Sequence, residues 1–481
     1  MAGARQSTDG ASATYRHSSF WLDDLVLTGR DELAPRSPLA ADARFDVCIV
    51  GGGLTGLWTA YSLAKADPQL RIAVLEREIA GFGASGRNGG WCSALFPRSP
   101  GSLERRHGFD GAVAMRRAMV DTVDEVGRVA RLEGIECDFE RGGTVVFARN
   151  AVQREFARAD VAELRRFGVD RPAYWDQRTV GSRFGATGLD GDDPGAMFDP
   201  ACARLHPAKL VRGLAEVVEA LGVTLFERTE VIDWAAGSVR FRGVDSGFEG
   251  SVAARHVIIA LEGYGSQRPR VHRRVLPLYS LMIATEPLED AAWDEIGIEH
   301  GQTFSDYRHL LIYGQRTADN RFAFGGRGAR YHWGSTVDPA FERVDQVFDH
   351  LHGALRHLFP AIGDARVTHR WGGPLGIARD WHATASYNPK TGVGFAGGYV
   401  GDGLSTTNLA GRTLADLVLG RDSELTALPW VNHRSPLWEP EPLRFAGANL
   451  GILGMQFADL EERVTGRPSV AARLLAPLTG H

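Results

Sequence analysis

FDVCIVGGGLTGLWTAYSLAKA (45–66) decides the reading of this chain. FDVCIV (45–50) is a short β-branched apolar run, the texture of a strand buried in a parallel sheet. LTGLWTAYSLAKA (54–66) has helical character, and RIAVLE (71–76) is a second buried strand, so the start of the chain reads β-α-β. The first turn of that unit, Gly51-Gly52-Gly53-Leu54-Thr55-Gly56, has the pattern G-x-G-x-x-G. Gly51 suits the tight turn, Gly53 lets the backbone approach a pyrophosphate, and Gly56 lets helix pack close to strand. The helix N-terminus, with Leu54 and Thr55, presents unpaired N–H groups to phosphate. Glu76 closes the second strand, where an acid accepts a ribose 2′-OH. A purely structural turn shares the glycine pattern, but the strand, the helix and the acid together predict an adenine dinucleotide. NAD and FAD share the pattern.

The next stretch helps to choose. GFGASGRNGGW (81–91) carries five glycines in its first ten residues, and interior glycine costs conformational entropy. It begins five residues after Glu76, too close to be a free interdomain linker. A bare backbone there suits a loop laid along the ribityl chain and ring of a flavin, a demand that NAD domains do not make.

At 481 residues the chain has room for two or three domains, with 44% apolar and 23% charged residues. A net charge of −5 argues against a dedicated nucleic-acid binder. Only Lys65, Lys209 and Lys390 are lysine among 54 basic residues, a bias without functional weight. Cys48, Cys92, Cys137 and Cys202 are scattered, which is neither a zinc framework nor a disulfide scaffold. With no signal-peptide pattern and no uninterrupted apolar run long enough to span a bilayer, the expectation is a cytoplasmic protein.

Residues 1–44 read as a polar arm with one apolar patch at Phe20-Trp21-Leu22. Helices are expected over 110–134, 150–168, 206–222 and near 338–358, with a strand at 142–148. Residues 276–326 have the texture of antiparallel strands, and VGFAGG (393–398) with LSTTNLAGRTLADLVLG (404–420) repeats the opening strand-glycine-helix grammar. The tail carries Leu450, Leu453, Phe457, Leu460 and Val464 at helical spacing, a stripe expected to dock on its own protein, or else on a membrane surface or partner helix.

From FDVCIVGGGLTG through LEREIAGFGASGRNGGWCSALF, with GFAGGYVGDGLSTTNLAGRTLADLVLG near the end, the chain resembles the D-amino-acid oxidase (DAO) family of flavoproteins. Within that family it is most similar to the γ-glutamylputrescine oxidase branch of amine oxidases. The resemblance covers roughly residues 45 to 420. It implies an α/β protein with a glutathione-reductase-like FAD-binding Rossmann domain (45–110, 205–265 and 370–420). Interleaved with it would be a substrate domain on a mostly antiparallel mixed sheet (111–204 and 266–369), followed by a helical tail (421–481). The implied chemistry is oxidation of a C–N bond with FAD as electron acceptor and imine hydrolysis, O2 being reduced to hydrogen peroxide. A dehydrogenase using another acceptor, or a tRNA-modifying flavoprotein, is the alternative.

Carried across by position, Gly51, Gly53, Gly56, Glu76 and Arg77 hold the ADP half of the cofactor, and Ser85, Gly86, Arg87, Asn88 and Gly89 wrap the flavin half. Val231 matches a position whose backbone contacts adenine. Gly398, Gly401, Asp402, Gly403 and Leu404, with Ser405, close over the pyrimidine end of the ring. Covalent attachment in the family uses a cysteine in the C-terminal half or a histidine after the second strand. This chain has no cysteine beyond Cys202 and no histidine in Ser85–Asn88, so non-covalent FAD is expected.

Asp402 stands where relatives often carry histidine, and either anchors a cationic amine or caps the following helix. Arg327 and Tyr331 either face the active site or brace the sheet, and Tyr279 and Trp371 either wall an aromatic amine pocket or pack in the core. The basic run 268–274 reads as a solvated edge, and no metal site is assigned to His350, His352 and His357. The lysine and arginine that clamp a substrate carboxylate in sarcosine-type relatives fall here on Ser405 and the vicinity of Trp91. That departure predicts a small-molecule amine without an α-carboxylate as the preferred substrate.

Overall fold

The computed structural model describes residues 15–185 and 194–479. Its principal elements, in chain order, are α1 (Phe20–Leu27), β1 (Ala43–Val50), α2 (Leu54–Ala66), β2 (Ile72–Leu75), β3 (Thr144–Ala148), β4 (Gly195–Asp199), α3 (Pro207–Ala220), β5 (Glu249–Ile259), β6 (Val275–Thr285), β7 (Thr303–Asp306), β8 (Ile312–Arg316), β9 (Phe322–Arg327), β10 (Val367–Ala378), β11 (Val393–Gly397), α4 (Gly403–Leu419) and α5 (Leu443–Thr465).

Two eight-stranded sheets organise the described chain. In the first, β11, β5, β1, β2 and the short strand Thr224–Phe226 lie side by side and parallel. Val47, Cys48, Ile49 and Val50 are fully buried because helices cover one face and an antiparallel ribbon (Thr229–Gly243) supports the other. The second sheet runs β10–β6–β9–β8–β7–β3–β4, ends on the short strand Ala173–Trp175, and is antiparallel except for the β7–β3 pair. The chain alternates between the sheets, as the sequence texture suggested. Strand β10 straddles the expected boundary at 369/370, because it pairs with β6 in the second sheet along its whole length.

The N-terminal segment departs from the expected polar arm. Residues Phe20, Trp21, Leu22 and Leu25 are buried in α1, which Ser19 caps by accepting the Leu22 N–H. Trp21 Nε1 donates to the Asn88 carbonyl at 2.8 Å, so the apolar patch is the inner face of a helix seated behind the glycine-rich loop.

The tail departs in the opposite sense. The helix forms as α5, but Leu450, Leu453, Phe457, Leu460 and Val464 are each more than half exposed, which corrects the expectation that this stripe docks on its own protein. The helix is held by its polar residues instead. Asp459 accepts the His309 and Leu310 N–H groups, Glu462 is buried beside His309, and Asn449 bonds the Tyr331 backbone. Among the described residues no helix is long and apolar enough to cross a membrane.

Candidate active site

The turn between β1 and α2 has the geometry its glycines call for. Gly51 takes φ +110°, and a Cβ there would lie 2.6 Å from the Ala260 carbonyl oxygen. A Cβ on Gly56 would fall 2.0 Å from the Gly51 oxygen, so only glycine lets α2 sit this close to the turn. Gly53 precedes α2 without a side-chain cap, and Ser85 Oγ accepts the Leu54 N–H at 2.8 Å, which ties the second glycine loop to the helix N-terminus. Glu76 accepts the Gly52 N–H at 2.7 Å and the Glu78 N–H at 2.9 Å. Burial pushes its carboxyl up to about 7 against the pull of those two bonds.

One cavity runs from this turn, past the loop 82–89, to the start of α4 and out across the face of the second sheet. Its walls include Gly51, Gly53, Leu54, Thr55, Glu76, Arg77, Ser85, Arg87, Asn88, Gly89 and Val231. Gly401, Asp402, Gly403, Leu404 and Arg327 line its other reaches. Four residues assigned to the cofactor stand behind the wall. Gly56 packs helix on turn, and Gly86 packs on the Gly81 carbonyl. Gly398 takes φ +78° and donates its N–H to Glu262, and Ser405 donates its hydroxyl to the Ser93 carbonyl. Arg77 is exposed at the rim, with its guanidinium 3.4 Å from Glu78.

Arg87 lines the cavity, but its guanidinium is committed. The guanidinium pairs with Glu342 at 2.7 Å, donates to the Gly372 carbonyl and to Tyr264 Oη, and lies over Phe82. It joins the glycine loop to the second sheet and is not free to meet a substrate anion. The Asn88 side chain likewise shapes the loop, bonding Ala84, Ser85 and Gly90.

Tyr279 and Trp371 lie outside the cavity wall. Tyr279 is buried and exchanges hydrogen bonds with the Asp338 backbone, while Trp371 Nε1 donates to the Arg87 carbonyl. Core packing, the alternative reading, describes both. Tyr331 is also buried, with Oη donating to Glu441 at 2.7 Å. Trp91 and Tyr313 form aromatic walls of the cavity beside the second sheet, 6.1 Å apart and edge to face. The Tyr313 ring stands where a Cβ on Gly89 would be, 2.6 Å away. Sequence reading did not single out Tyr313, because its strand (LIYGQ) looks like any other.

Asp402 immediately precedes α4, yet its side chain makes no cap bond. Burial in the cavity pushes its carboxyl up to about 6, with Arg327 pulling the other way. Arg327, at the end of β9, donates to the Val400 carbonyl at 2.5 Å and faces Trp381 at 5.6 Å. Among the described residues it makes no ion pair, and burial lowers its pKa while Asp402 opposes that. A second acid unforeseen from sequence is Glu262, held at φ +43° beside the cavity. It accepts the Gly398 and Tyr399 N–H groups, and burial pushes it up to about 7.

The profile of the DAO family, described as FAD dependent oxidoreductase, matches residues 46–417. The chain belongs to this family. It is an oxidoreductase whose cofactor is FAD. It is 28% identical over 413 residues to the γ-glutamylputrescine oxidoreductase of Escherichia coli, covering 84% of this chain and 90% of that one. It is 29% identical over 401 residues to the probable oxidoreductase OrdL of Haemophilus influenzae, covering 81% and 86%. Among solved structures, glycine oxidase from Geobacillus kaustophilus superposes with a TM-score of 0.65 at 21% identity, over 82% of this chain and 100% of that one. That likeness shows the shared fold.

Proposed function

We propose that this protein oxidises the C–N bond of a primary or secondary amine that binds as a cation beside Asp402. The observation that carries this reading is a carboxylate at the start of α4, inside the cavity, with no capping duty. Relatives named for γ-glutamylputrescine and for glycine support a nitrogen-bearing substrate.

FAD, when bound, supplies the electron acceptor. The 51–56 turn and the N-terminus of α2 would hold its pyrophosphate, Glu76 its ribose hydroxyl and Val231 its adenine. The 82–89 loop and Gly401–Leu404 would hold the flavin. The fit rests on the bare backbone of Gly51 and Gly53, and on an acid already oriented by two N–H groups with acceptor capacity to spare. Among the described residues no cysteine or histidine lines the cavity, which supports non-covalent binding.

In the reaction the amine loses two electrons and two protons to become an imine. Water then adds to the imine and releases a carbonyl compound and the shortened amine or ammonia. Molecular oxygen takes the two electrons and two protons and leaves as hydrogen peroxide. Above pH about 6 Asp402 is ionised and holds the ammonium, which fixes the position of the nitrogen for oxidation. Trp91 and Tyr313 wall the apolar part of the substrate and exclude water. The four free, buried cysteines accord with a reducing compartment such as the cytoplasm.

A second reading has its own observation. Arg327 makes no ion pair among the described residues, and a substrate carboxylate would complete it. An amino acid would then be the substrate, with Arg327 doing what the expected clamp residues do not. Anaerobic flavin bleaching by amines and by amino acids separates the two, and an oxygen electrode with a peroxide assay tests the acceptor.

A further inference from the structure

We propose that α5 pairs with α5 of a second copy of this chain, antiparallel across a two-fold axis near Leu453. This pairing is independent of the amine-oxidation reading above.

The helix faces the wrong way for a lone molecule. Its polar residues Asn449, Asp459 and Glu462 bond the rest of the protein, while Leu443, Leu450, Leu453, Phe457, Leu460 and Val464 are each 54–76% exposed. With Ala446, also exposed, they follow spacings of 3, 4, 3, 4, 3 and 4. That strict a/d heptad pattern is a coiled-coil seam, narrower than the stripe of a helix lying on its own core. More than half of a large apolar side chain is roughly 100 Å², so the six offer on the order of 600 Å². This is the upper end of the apolar patches that monomers carry. Two such faces give about 1,200 Å², the area at which specific, stable interfaces begin.

The glycines of α5 point the same way. Glycine inside a helix is unfavourable, yet α5 carries Gly447, Gly451 and Gly454. A Cβ on Gly454 would lie 2.6 Å from Leu475 of the following helix (Val470–Thr479), which accounts for that one. Among the described residues nothing lies within 4 Å of where a Cβ on Gly447 or Gly451 would stand. These two sit one turn apart beside the seam, where a bare backbone lets a second helix approach closely. A bilayer surface makes no such demand.

Charge sets the direction. Arg463, Arg467 and Arg473 are exposed at or beyond the C-terminal end of α5, while the nearby Glu461 is turned to Ser469, Val470 and Ala471. Parallel pairing would gather both sets of arginines at one end, where they repel. Antiparallel pairing separates them. It also carries each Arg463 toward the start of the other helix, where Phe445 and Trp333 are exposed and offer aromatic faces to a guanidinium.

The test uses FAD-loaded, full-length protein. Sedimentation equilibrium should give twice the chain mass at micromolar concentration. Leu453→Glu combined with Phe457→Glu should weaken association about a hundredfold or more, because it buries like charges at the centre of the seam. Bound FAD and an unchanged circular dichroism spectrum show that this variant is folded. A nitroxide on Thr465→Cys reads the direction by electron spin resonance, since the four native cysteines are buried. About 12 residues at 1.5 Å each on either side of the axis put the two labels roughly 30–40 Å apart. Parallel helices would hold them within about 20 Å, and that result overturns the arrangement. A monomer at every concentration, or a dimer that the double glutamate variant leaves intact, overturns the pairing. So does a monomer that sediments with phosphatidylcholine–phosphatidylglycerol vesicles only while Leu453 and Phe457 are present, which gives the face to a bilayer.

Discussion

Glu76 Oε2 accepts the N–H of Gly52 at 2.7 Å, which locks the acid at the end of β2 to the glycine turn that opens α2. On the proposed reading, removing it takes an acceptor from the FAD ribose and frees the turn. Glu76→Ala should weaken FAD binding by ten- to over a hundredfold, about 1.5–3 kcal/mol for a charge-assisted bond, with the protein still soluble. Fluorescence titration of apo-protein with FAD measures this. Unchanged affinity would remove Glu76 from the cofactor site.

The Arg87–Glu342 pair ties the glycine loop to the second sheet. Arg87→Met leaves Glu342 without its cation in a largely buried place, a loss of about 3–5 kcal/mol, whereas Arg87→Met with Glu342→Gln should recover much of it. Denaturant unfolding of both variants decides. A double variant no more stable than Arg87→Met would show that Gly372 and Tyr264 carry the contact.

Asp402 should appear in the pH profile. Its raised carboxyl, about 6, makes the cation-binding form available only above that pH. The value of kcat/KM should therefore rise as pH increases through about 6, and Asp402→Asn should lose that limb and raise KM more than it lowers kcat. A limb that survives in Asp402→Asn belongs to another group.

Docking of α5 should respond to pH in the opposite sense. The hydrogen bond to Glu462 raises the His309 pKa, so the folded protein favours the protonated ring. That contribution is complete below the ordinary histidine value of about 6.5 and fades as pH climbs through the raised value. Hydrogen-exchange protection of α5, corrected for intrinsic rates, should be higher at pH 6 than at pH 8.5. The difference should shrink in His309→Ala, and equal shrinkage nowhere else in the chain would confine the effect to this contact.

Acid precipitation should release the flavin into the supernatant as FAD, since no cysteine or histidine stands at the cavity wall among the described residues. Flavin retained in the washed pellet would require an attachment residue not identified at this site.

What was legible in the sequence was local. The β-α-β start, the 51–56 turn, Glu76 and the bare 81–90 loop are each a run of residues whose spacing states their geometry, and they open one cavity. Asp402 was legible through motif position, and Arg327 only as one of two residues after a strand that could face the site or brace the sheet; both line the cavity. Tyr313, Trp91 and Glu262 matter through what faces them across the two sheets, and no local spacing encodes that. Helix α1 was half visible as an apolar patch; its partner Asn88 lies 67 residues away. The stripe on α5 misled because apolar periodicity implies burial only when the opposite face is not the one that is bonded. Here Asp459 and Glu462 hold the inner side.

The central claim is a cationic amine oxidised beside Asp402, and anaerobic stopped-flow reduction of the bound flavin tests it most directly. Long-chain amines without an α-carboxylate should bleach the flavin faster than sarcosine, glycine or D-alanine, and Asp402→Asn should demand much higher amine concentrations for the same rate. A simple α-amino acid as the best reductant, with amine reduction indifferent to Asp402→Asn, would contradict the account and assign the substrate's charge to Arg327.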